Sequence, residues 1–549
     1  MPFIYRNLSI SPHDGEENLP SLLAPLIGLA PADISDFRIV RKGVDARRKP
    51  RVKLIYTVSF TTVDRTALLA RRTRIPNLEW QAEPETTLFT PLCSQQRVVI
   101  VGSGPAGLFT ALRLAHYGLS ATIIERGQPV EQRALDVQQF WRNGLLDPES
   151  NVQFGEGGAG TFSDGKLTSR SKDALVPWVL EQLAAFGAPP EVRYLAKPHI
   201  GTDRLRLVVS AIREHLLQRG FTIRFGCRLT DIVVKNGVVS AVICNNQEEL
   251  PCDRLVLATG HSARDTYELL ERRGVPLERK PFAMGLRVEH PQELIDRIQY
   301  GGARHPNLPV ADYAVTYNNT ATGRSAYSFC MCPGGVVIAG ASEAGGVVTN
   351  GMSGQKRNSP FANSALVVNV TTADFGGADP LAGVRFQRHW EHQAFLAGGS
   401  GYHAPSQNLM AFLRLPGKAP ASSSYRPGIV DTELDPVLPP FIISTLREGI
   451  NDFNKRVRGF VTAEATLTGI ESRTSAPLRV LRDARYESIG VRGLYPAGEG
   501  AGYAGGIMSS AVDGVKIADT IAAQTASCPP LKKGGEGEVA FEAPPSKSP

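Results

Sequence analysis

The chain has 549 residues, 42% of them hydrophobic and 21% charged, and its formal net charge is +7. This composition is typical of a soluble globular protein and excludes fibrous, membrane-embedded and wholly disordered classes. The length exceeds what one hydrophobic core supports, so two or three domains are expected. The seven cysteines are too few, and odd in number, for a disulfide scaffold. Since the chain has no long apolar run and no leader-like start, we expect a cytoplasmic protein without membrane contact.

Residues 1–90 predict a small N-terminal α/β domain. Phe3–Ile10 and Val52–Phe60 have the pattern of strands, and an apolar stretch lies between them at 19–29. The segment Arg38–Lys53, placed between these elements, carries eight Lys or Arg residues against the single Asp45. Two interpretations of this basic cluster stay open: a solvated face, and a surface that binds RNA.

A glycine-rich fingerprint follows this domain. Arg97–Val101 has the pattern of a buried strand, and Leu108–Gly118 that of an amphipathic helix; between them lies Gly102-Ser103-Gly104-Pro105-Ala106-Gly107. Gly102 permits a tight turn, Gly104 lets a pyrophosphate approach the backbone, and Gly107 lets helix and strand pack closely. The helix N-terminus, with Pro105 and Ala106, adds amides and the positive end of its dipole. This order predicts a dinucleotide-binding site.

An acidic residue stands where the fingerprint requires one. Glu125 ends the next predicted strand 23 residues after Gly102, is followed by Arg126, and is expected to bind ribose hydroxyls. Both NAD and FAD remain open at this point. Because residues 337–346 lack the GxGxxG spacing, a second nucleotide-binding domain is not expected, although a pyridine nucleotide such as NAD(P)H could still dock transiently.

Three further stretches have the character of cofactor-contacting segments. A hairpin with an Asn236-Gly237 turn precedes a strand that ends in Ala258-Thr259-Gly260. A glycine-dense loop, 154–170, is read as a close backbone approach to a ligand rather than as a flexible linker, through Gly157, Gly158, Gly160 and Thr161. Near the C-terminus, Gly493–Asp519 runs as strand, acid, glycines and helix, and includes Gly498, Glu499, Gly505, Gly506 and Ile507.

Together these stretches resemble the glutathione-reductase-like flavoproteins. With the phrases PHIGTD (198–203), ATGHSARDTY (258–267), YSFCMCPGG (327–335), VVTNGMS (347–353), PLAGVRFQR (380–388) and ESRTSAPLR (471–479), the chain resembles the uncharacterised FAD-dependent dehydrogenase family of bacteria over roughly residues 96–523. The resemblance implies bound FAD, with Glu499 at the ribityl hydroxyls, where the family usually has Asp. The amides near Gly505 and Gly506 would then stabilise negative charge on the reduced ring.

Four side chains are candidates for the chemistry. Cys330 and Cys332 form a CxC pair, read either as a redox pair or nucleophile near the flavin, or as two buried small hydrophobic residues. His261 is an acid or base, or orients the backbone. Arg473 either clamps an anionic substrate or fixes a loop by pairing with Glu471 or another carboxylate. No metal site is expected, since no CxxC pair or HExxH helix occurs.

The predicted fold is α/β, with a Rossmann-like FAD-binding domain (91–275 and 455–525), an inserted α+β substrate domain (276–454), the N-terminal domain and a disordered tail (526–549). The predicted function is that of an FAD-dependent oxidoreductase that transfers hydride between a small substrate and flavin N5, and exchanges electrons with a further donor or acceptor. Two alternatives stay open: a nucleic-acid-associated flavoprotein, and an assembly partner that FAD merely stabilises.

Overall fold

The computed structural model describes residues 2–81, 91–92, 94–168, 173–416 and 422–526. Its N-terminal part contains β1 (Phe3–Ile10), α1 (Leu19–Ile27), β2 (Ile34–Asp45), β3 (Lys53–Thr62), α2 (Arg65–Arg71) and β4 (Leu78–Trp80). The strands form an antiparallel sheet in the order β2-β3-β1-β4. Leu19, Leu23 and Ile27, on one face of α1, belong to the same core as this sheet.

Two strands of this sheet were not expected from the sequence. The basic cluster 38–53 lies on β2 and on the turn into β3, instead of in a connection between elements. As an edge strand, β2 tolerates many charged residues. Its free edge meets a second segment, where the Lys42 amide donates to the Tyr194 carbonyl and the Ala196 amide donates to the Lys42 carbonyl, both at 2.8 Å. The second unexpected strand is the short β4.

A five-stranded parallel sheet forms the second part. Its elements are β5 (Val98–Val101), α3 (Pro105–His116), β6 (Thr122–Ile124), α4 (Val130–Asn143), α5 (Val176–Ala185), α6 (Thr202–Gln218), β7 (Thr222–Arg224), the antiparallel meander β8 (Leu229–Lys235), β9 (Val238–Cys244) and β10 (Glu248–Pro251), then β11 (Arg254–Leu257) and α7 (Arg264–Arg272). The strand and helix of the fingerprint, and the hairpin turn at Asn236-Gly237, are confirmed as β5, α3 and the β8–β9 turn.

A seven-stranded mixed sheet forms the third part. Its elements are β12 (Leu277–Arg279), β13 (Phe282–Pro291), α8 (Gln292–Tyr300), β14 (Thr316–Asn319), β15 (Arg324–Cys332), β16 (Val336–Ala339), β17 (Thr349–Met352), β18 (Phe361–Val370), α9 (Ala382–Ala397), β19 (Ala404–Asn408), α10 (Leu409–Phe412), β20 (Ile429–Asp431), α11 (Pro440–Arg456) and β21 (Thr466–Glu471). The strand order is β14-β15-β18-β13-β21-β19-β20. Strands β16 and β17 pair separately.

The chain then returns to the parallel sheet. After β22 (Leu478–Val480), which pairs with β12, come β23 (Leu494–Pro496) and α12 (Ile507–Ala526), and the parallel sheet has the order β23-β11-β5-β6-β7. Because β21 lies inside the mixed sheet, the return begins after Glu471 and not at residue 455. Of the predicted tail 526–549, only Ala526 is described, as the end of α12.

The hydrophobic cores correspond to the sheets described above. One large cluster of buried apolar side chains joins the N-terminal sheet to the mixed sheet, and two others cover the two faces of the parallel sheet. Within the described ranges, every helix is too short or too polar to cross a lipid bilayer.

Candidate functional site

A cavity of about 360 Å³ lies at the carboxyl ends of the parallel strands. Gly102, Glu125, Ala258 and Ala497 line it, and each directly follows the end of a strand, β5, β6, β11 and β23 respectively. Cys330 of the mixed sheet and Asn350 of the separate β16–β17 pair close the other side. Ligands of open α/β sheets bind at this edge, and the volume falls within the range of small-molecule pockets.

The backbone of the glycine turn lies in direct contact with neighbouring backbone at the end of the sheet. Gly102 has φ +99°, and a Cβ there would lie 2.4 Å from the Ala258 carbonyl oxygen. A Cβ on Gly107 would lie 1.9 Å from the Gly102 carbonyl oxygen, so this glycine serves helix–strand packing and does not line the cavity. Gly104, Pro105 and Ala106 do line it, at the N-terminus of α3. The arrangement presents free helix amides to an anion.

Glu125 holds three loops together at one end of the cavity. Its carboxylate accepts hydrogen bonds from the Ser103 amide and hydroxyl, both at 2.8 Å, and from the amides of Gly127 and Gly155, both at 3.0 Å. A carboxylate has about four acceptor positions, so a ribose hydroxyl must replace or share one of these contacts. Arg126 lies 4.1 Å from the Phe154 ring centroid, and both residues line the cavity.

The glycine-dense loop is organised by a buried arginine. Arg133 of α4 is 0% exposed and donates hydrogen bonds to the carbonyls of residues 151, 152, 155, 156 and 158, at 2.6 to 3.2 Å. Gly158 and Gly160 line the cavity, whereas Gly157 and Thr161 do not. A Cβ on Gly157 would lie 2.1 Å from Thr161 Oγ1, so these two residues shape the loop from behind.

The C-terminal return supplies the far end of the cavity. Glu499, Gly505, Gly506 and Ile507 line it; Gly498 does not, and its amide donates to Asp513 at 2.7 Å. A Cβ on Gly505 or Gly506 would meet no atom within 4 Å, so the backbone here faces open space. Burial raises the pKa of Glu499 to about 7, although the Gly506 amide donates a hydrogen bond to its carboxylate.

Three of the four candidate reactive residues line this same cavity. Cys330 and Arg473 reach it from the mixed-sheet side, and His261 follows Ala258-Thr259-Gly260, which also line it. Cys332 lies behind Cys330 and is 0% exposed. Burial, together with the charges of Arg473 and Arg264, lowers the pKa of His261 to about 3, so this imidazole is neutral at physiological pH. It is therefore unsuited to act as a charged acid.

Arg473 pairs with a carboxylate that the sequence did not indicate. Its Nε and Nη2 donate to Glu391, which also accepts two hydrogen bonds from Arg264. Glu471, the expected partner, instead binds Arg287, at 2.9 and 2.8 Å. Two roles were predicted for Arg473, binding an anionic substrate and pairing with a carboxylate. The structure shows the second, because the guanidinium group is already bound to Glu391.

Other residues at the mixed-sheet end were missed by sequence reasoning. Lys166, Phe329, Asn350 and Thr474 line the cavity there, and Phe329 is 38% exposed. Phe329, Asn350 and Thr474 fall within the phrases quoted above and Lys166 within the loop 154–170, but neither a phrase nor a loop tells which side chains face a ligand. Among the described residues, no group of three or more His, Cys, Asp or Glu could hold a metal ion.

The residues of the cavity fit a flavin dinucleotide. A row of glycines keeps its wall free of side chains, helix amides offer a site for a pyrophosphate, and the polar groups at Glu125 and Glu499 lie at separate ends. The lining is more backbone and aliphatic than charged, as expected where a ligand is held by close backbone approach.

Comparison with known families supports this assignment. Residues 95–139 match the family described as "FAD binding domain", and residues 281–474 match "FAD-dependent protein, C-terminal domain-like". Residues 3–61 match a domain of unknown function. FAD is therefore the cofactor.

Similar proteins include one described as "Uncharacterized protein" from Clostridium beijerinckii, 46% identical over 520 residues, which cover 94% of this chain and 97% of that protein. Thiamine thiazole synthase of Aeropyrum pernix is 27% identical over 233 residues, 40% of this chain and 72% of that enzyme. Two solved structures are remotely similar. CtdE in complex with FAD has 12% identity, a TM-score of 0.33 and coverage of 78% and 84% of the two chains. The flavin-dependent brominase Bmp2 has 13% identity, a TM-score of 0.36 and coverage of 79% and 80%. By its identity to the Clostridium protein over nearly the whole of both chains, this chain belongs to that protein's family.

Proposed function

We propose that this protein is an FAD-dependent oxidoreductase that transfers hydride between a small organic substrate and flavin N5. The observation that carries the proposal is that Cys330, His261 and Arg473 line one cavity with the glycine turn and with Gly505 and Gly506. When bound, FAD supplies reversible hydride transfer. The protein binds and orients FAD and the substrate, and it excludes water from the site.

The binding roles follow from the two ends of the cavity. The amides at the start of α3, near Gly104, hold the pyrophosphate, and Glu125 with Arg126 shapes the adenosine end. Glu499 accepts hydrogen bonds from the ribityl hydroxyls, and the amides near Gly505 lie toward the ring. Because the pKa of Glu499 is about 7, its carboxyl also holds a proton in part of the population at neutral pH.

The mixed sheet is then the substrate domain, because it covers the ring end of the cavity. Phe329 offers an exposed aromatic face, and Asn350 and Lys166 offer polar groups to orient a substrate. His261 is a neutral hydrogen-bonding group, with Nδ1 3.1 Å from the Ser262 hydroxyl. Closing this face excludes water from the reacting atoms, which strengthens every electrostatic contact there.

The test begins with the purified protein. We expect flavin absorbance in the visible region, and bleaching on anaerobic addition of a reductant or of a substrate from a metabolite panel. Gly505→Val should lower FAD affinity at least about tenfold, because the new side chain enters open cavity space. Gly302→Ala, also in open space but remote from the cavity, should leave FAD content unchanged. A colourless protein that FAD does not stabilise would overturn the proposal.

The two alternative functions give different results in the same assays. An assembly partner that FAD merely stabilises would be yellow, yet no donor or acceptor would exchange electrons with it at a catalytic rate. An RNA-associated flavoprotein would bind RNA with an affinity that falls steeply with salt and that is lost when Arg48, Arg51 and Lys53 are neutralised. Part of this cluster is already used within the chain, since Lys42 pairs with Glu16 and Lys49 donates to the Ile298 carbonyl.

A further inference from the structure

Strand β15 contains an irregularity where it forms part of the cavity wall. Pairing between β15 and β18 changes register between Phe329 and Cys332, so the two residues between them form a bulge. Cys330, in this bulge, has φ +44°, a conformation that residues with a Cβ rarely adopt. The bulge places Cys330 on the cavity wall and leaves Cys332 fully buried behind it. Strained backbone of this kind concentrates at reactive positions.

The two thiols are arranged unequally. The Cys332 thiol donates a hydrogen bond to the Cys330 carbonyl at 3.3 Å, and Arg287 donates to the same carbonyl at 3.4 Å. The adjacent Cys332 thiol and the charges of Lys166 and Arg287 lower the pKa of Cys330 to about 6, whereas the neighbouring Cys330 thiol and burial raise the pKa of Cys332. The Cys330 sulfur, on the cavity side, is therefore the thiolate, which is the nucleophilic form, and the buried Cys332 keeps its proton.

We propose that Cys330 and Cys332 form a reversible dithiol–disulfide pair that carries electrons between the cavity's FAD and an external disulfide. The inference rests on the proposed function and names the electron partner of the same site by chemical class. Cys330 is the sulfur that meets the external disulfide, because it alone of the two faces the cavity. Cys332 is the resolving sulfur.

The steps balance as thiol–disulfide exchange. The Cys330 thiolate attacks one sulfur of the external disulfide, forms a mixed disulfide and releases the first thiolate. Cys332 then loses its proton and attacks the sulfur of Cys330. This step forms the Cys330–Cys332 disulfide and releases the second thiolate, and the proton goes to one of the two released thiolates. Two electrons from reduced FAD, with protons from solvent, restore the dithiol.

A second thiol pair provides a matched control. Cys227 and Cys244 are both buried, and a hydrogen bond from the Cys244 thiol lowers the pKa of Cys227 to about 7. This pair lies at the adenosine end of the cavity, where Cys227 lines it beside Arg228. It matches the Cys330–Cys332 pair in chemistry and differs in position. Cys244→Ser therefore removes a thiol pair without touching the ring end.

The deciding experiment is an anaerobic reductive titration of the oxidised holoenzyme. We expect about four electrons per FAD for the wild type and for Cys244→Ser, and about two for Cys330→Ser and Cys332→Ser. Peptide mass mapping of the wild type, after treatment with oxidised glutathione and blocking of free thiols, should show the Cys330–Cys332 disulfide and its loss after reduction. This second readout needs no variant and no FAD.

The outcomes separate the two proposals. A wild type that takes up about two electrons per FAD, or an oxidised protein in which both thiols of the pair remain free, would overturn the dithiol–disulfide pair while leaving the oxidoreductase intact. Loss of the extra electrons in Cys244→Ser alone would also overturn it, since the wrong pair would then be active. A protein that binds no FAD would overturn the proposed function, and the mass mapping would still decide whether the pair oxidises.

Discussion

Arg473 donates hydrogen bonds to both carboxylate oxygens of Glu391, at 3.1 and 3.0 Å. Arg264 donates hydrogen bonds to the same carboxylate, at 2.9 and 2.7 Å. The side chains of Arg473, Glu391 and Arg264 are only 4%, 2% and 1% exposed, so two buried cations share one buried anion. Burial alone would raise the pKa of Glu391, but the two arginines outweigh it and hold the pKa well below its usual range.

We expect Glu391→Gln to lower the free energy of unfolding by about 3 kcal/mol, because both guanidinium groups would lose their fully buried counter-ion and keep only the partly exposed Glu343. Urea denaturation followed by circular dichroism measures the change. Glu268→Gln is the matched control, since Glu268 pairs with Arg388 at the surface, where such a pair contributes no more than about 1 kcal/mol. Equal losses in the two variants would show that the buried cluster is not what stabilises this wall.

The glycine-dense loop depends on Arg133, and we expect Arg133→Lys to reduce FAD content and to lower the unfolding free energy by about 3 kcal/mol or more. A lysine has one ammonium group and cannot reach carbonyls on both sides of the loop, as the planar guanidinium does. Arg142→Lys, on the exposed end of the same helix, should change neither quantity. FAD content per protein, measured by absorbance after gel filtration, checks the first expectation. A fully loaded Arg133→Lys protein would contradict it.

The sequence predicted the cofactor end of the cavity better than the reactive end. Backbone recognition of a dinucleotide is encoded locally, so Gly102, Gly104 and Gly107 could be assigned from their spacing alone. Arg264, Glu391 and Arg473 come together from distant parts of the chain, and a single sequence contains no signal that pairs them. Arg133 was missed for a related reason, since its partners are main-chain carbonyls that any residue could supply.

The boundary predicted at residue 455 and the connection predicted at β2 were wrong because in each case the sequence pattern fits two structures. The six residues of β21 are all buried, and such a run fits a central strand of either the parallel or the mixed sheet. The charged residues of β2 led to the opposite error, because the sequence of an edge strand with one solvated face resembles that of a surface loop. In both cases the sheet partner, not the local pattern, decides the structure.

Glu125 is expected to act on both folding and FAD binding. Glu125→Gln replaces a carboxylate that accepts four hydrogen bonds with an amide whose nitrogen cannot accept any. The bonds lost are to buried donors, so the unfolding free energy should fall by about 1–3 kcal/mol. FAD affinity should fall as well, because Ser103 and Gly155 belong to the loops that line the cavity. Thermal melts with and without added FAD separate the two effects. An unchanged melting temperature without FAD would contradict the structural role.

The depressed pKa of His261 predicts how stability depends on pH. Unfolding moves this pKa from about 3 back toward 6.5, so the unfolded chain binds the proton more readily than the folded one. The folded state is therefore favoured fully above pH 6.5 and loses stability as pH falls toward 3, with a slope from this group of up to about 1.4 kcal/mol per pH unit. His261→Gln should flatten the dependence in this window, as measured by urea denaturation at a series of pH values. His389→Gln, at an exposed position, serves as the control. If His261→Gln and wild type show the same slope between pH 4 and 6, the imidazole is not held neutral beside Arg473, and it regains a place among the groups able to donate a proton at the ring end of the cavity.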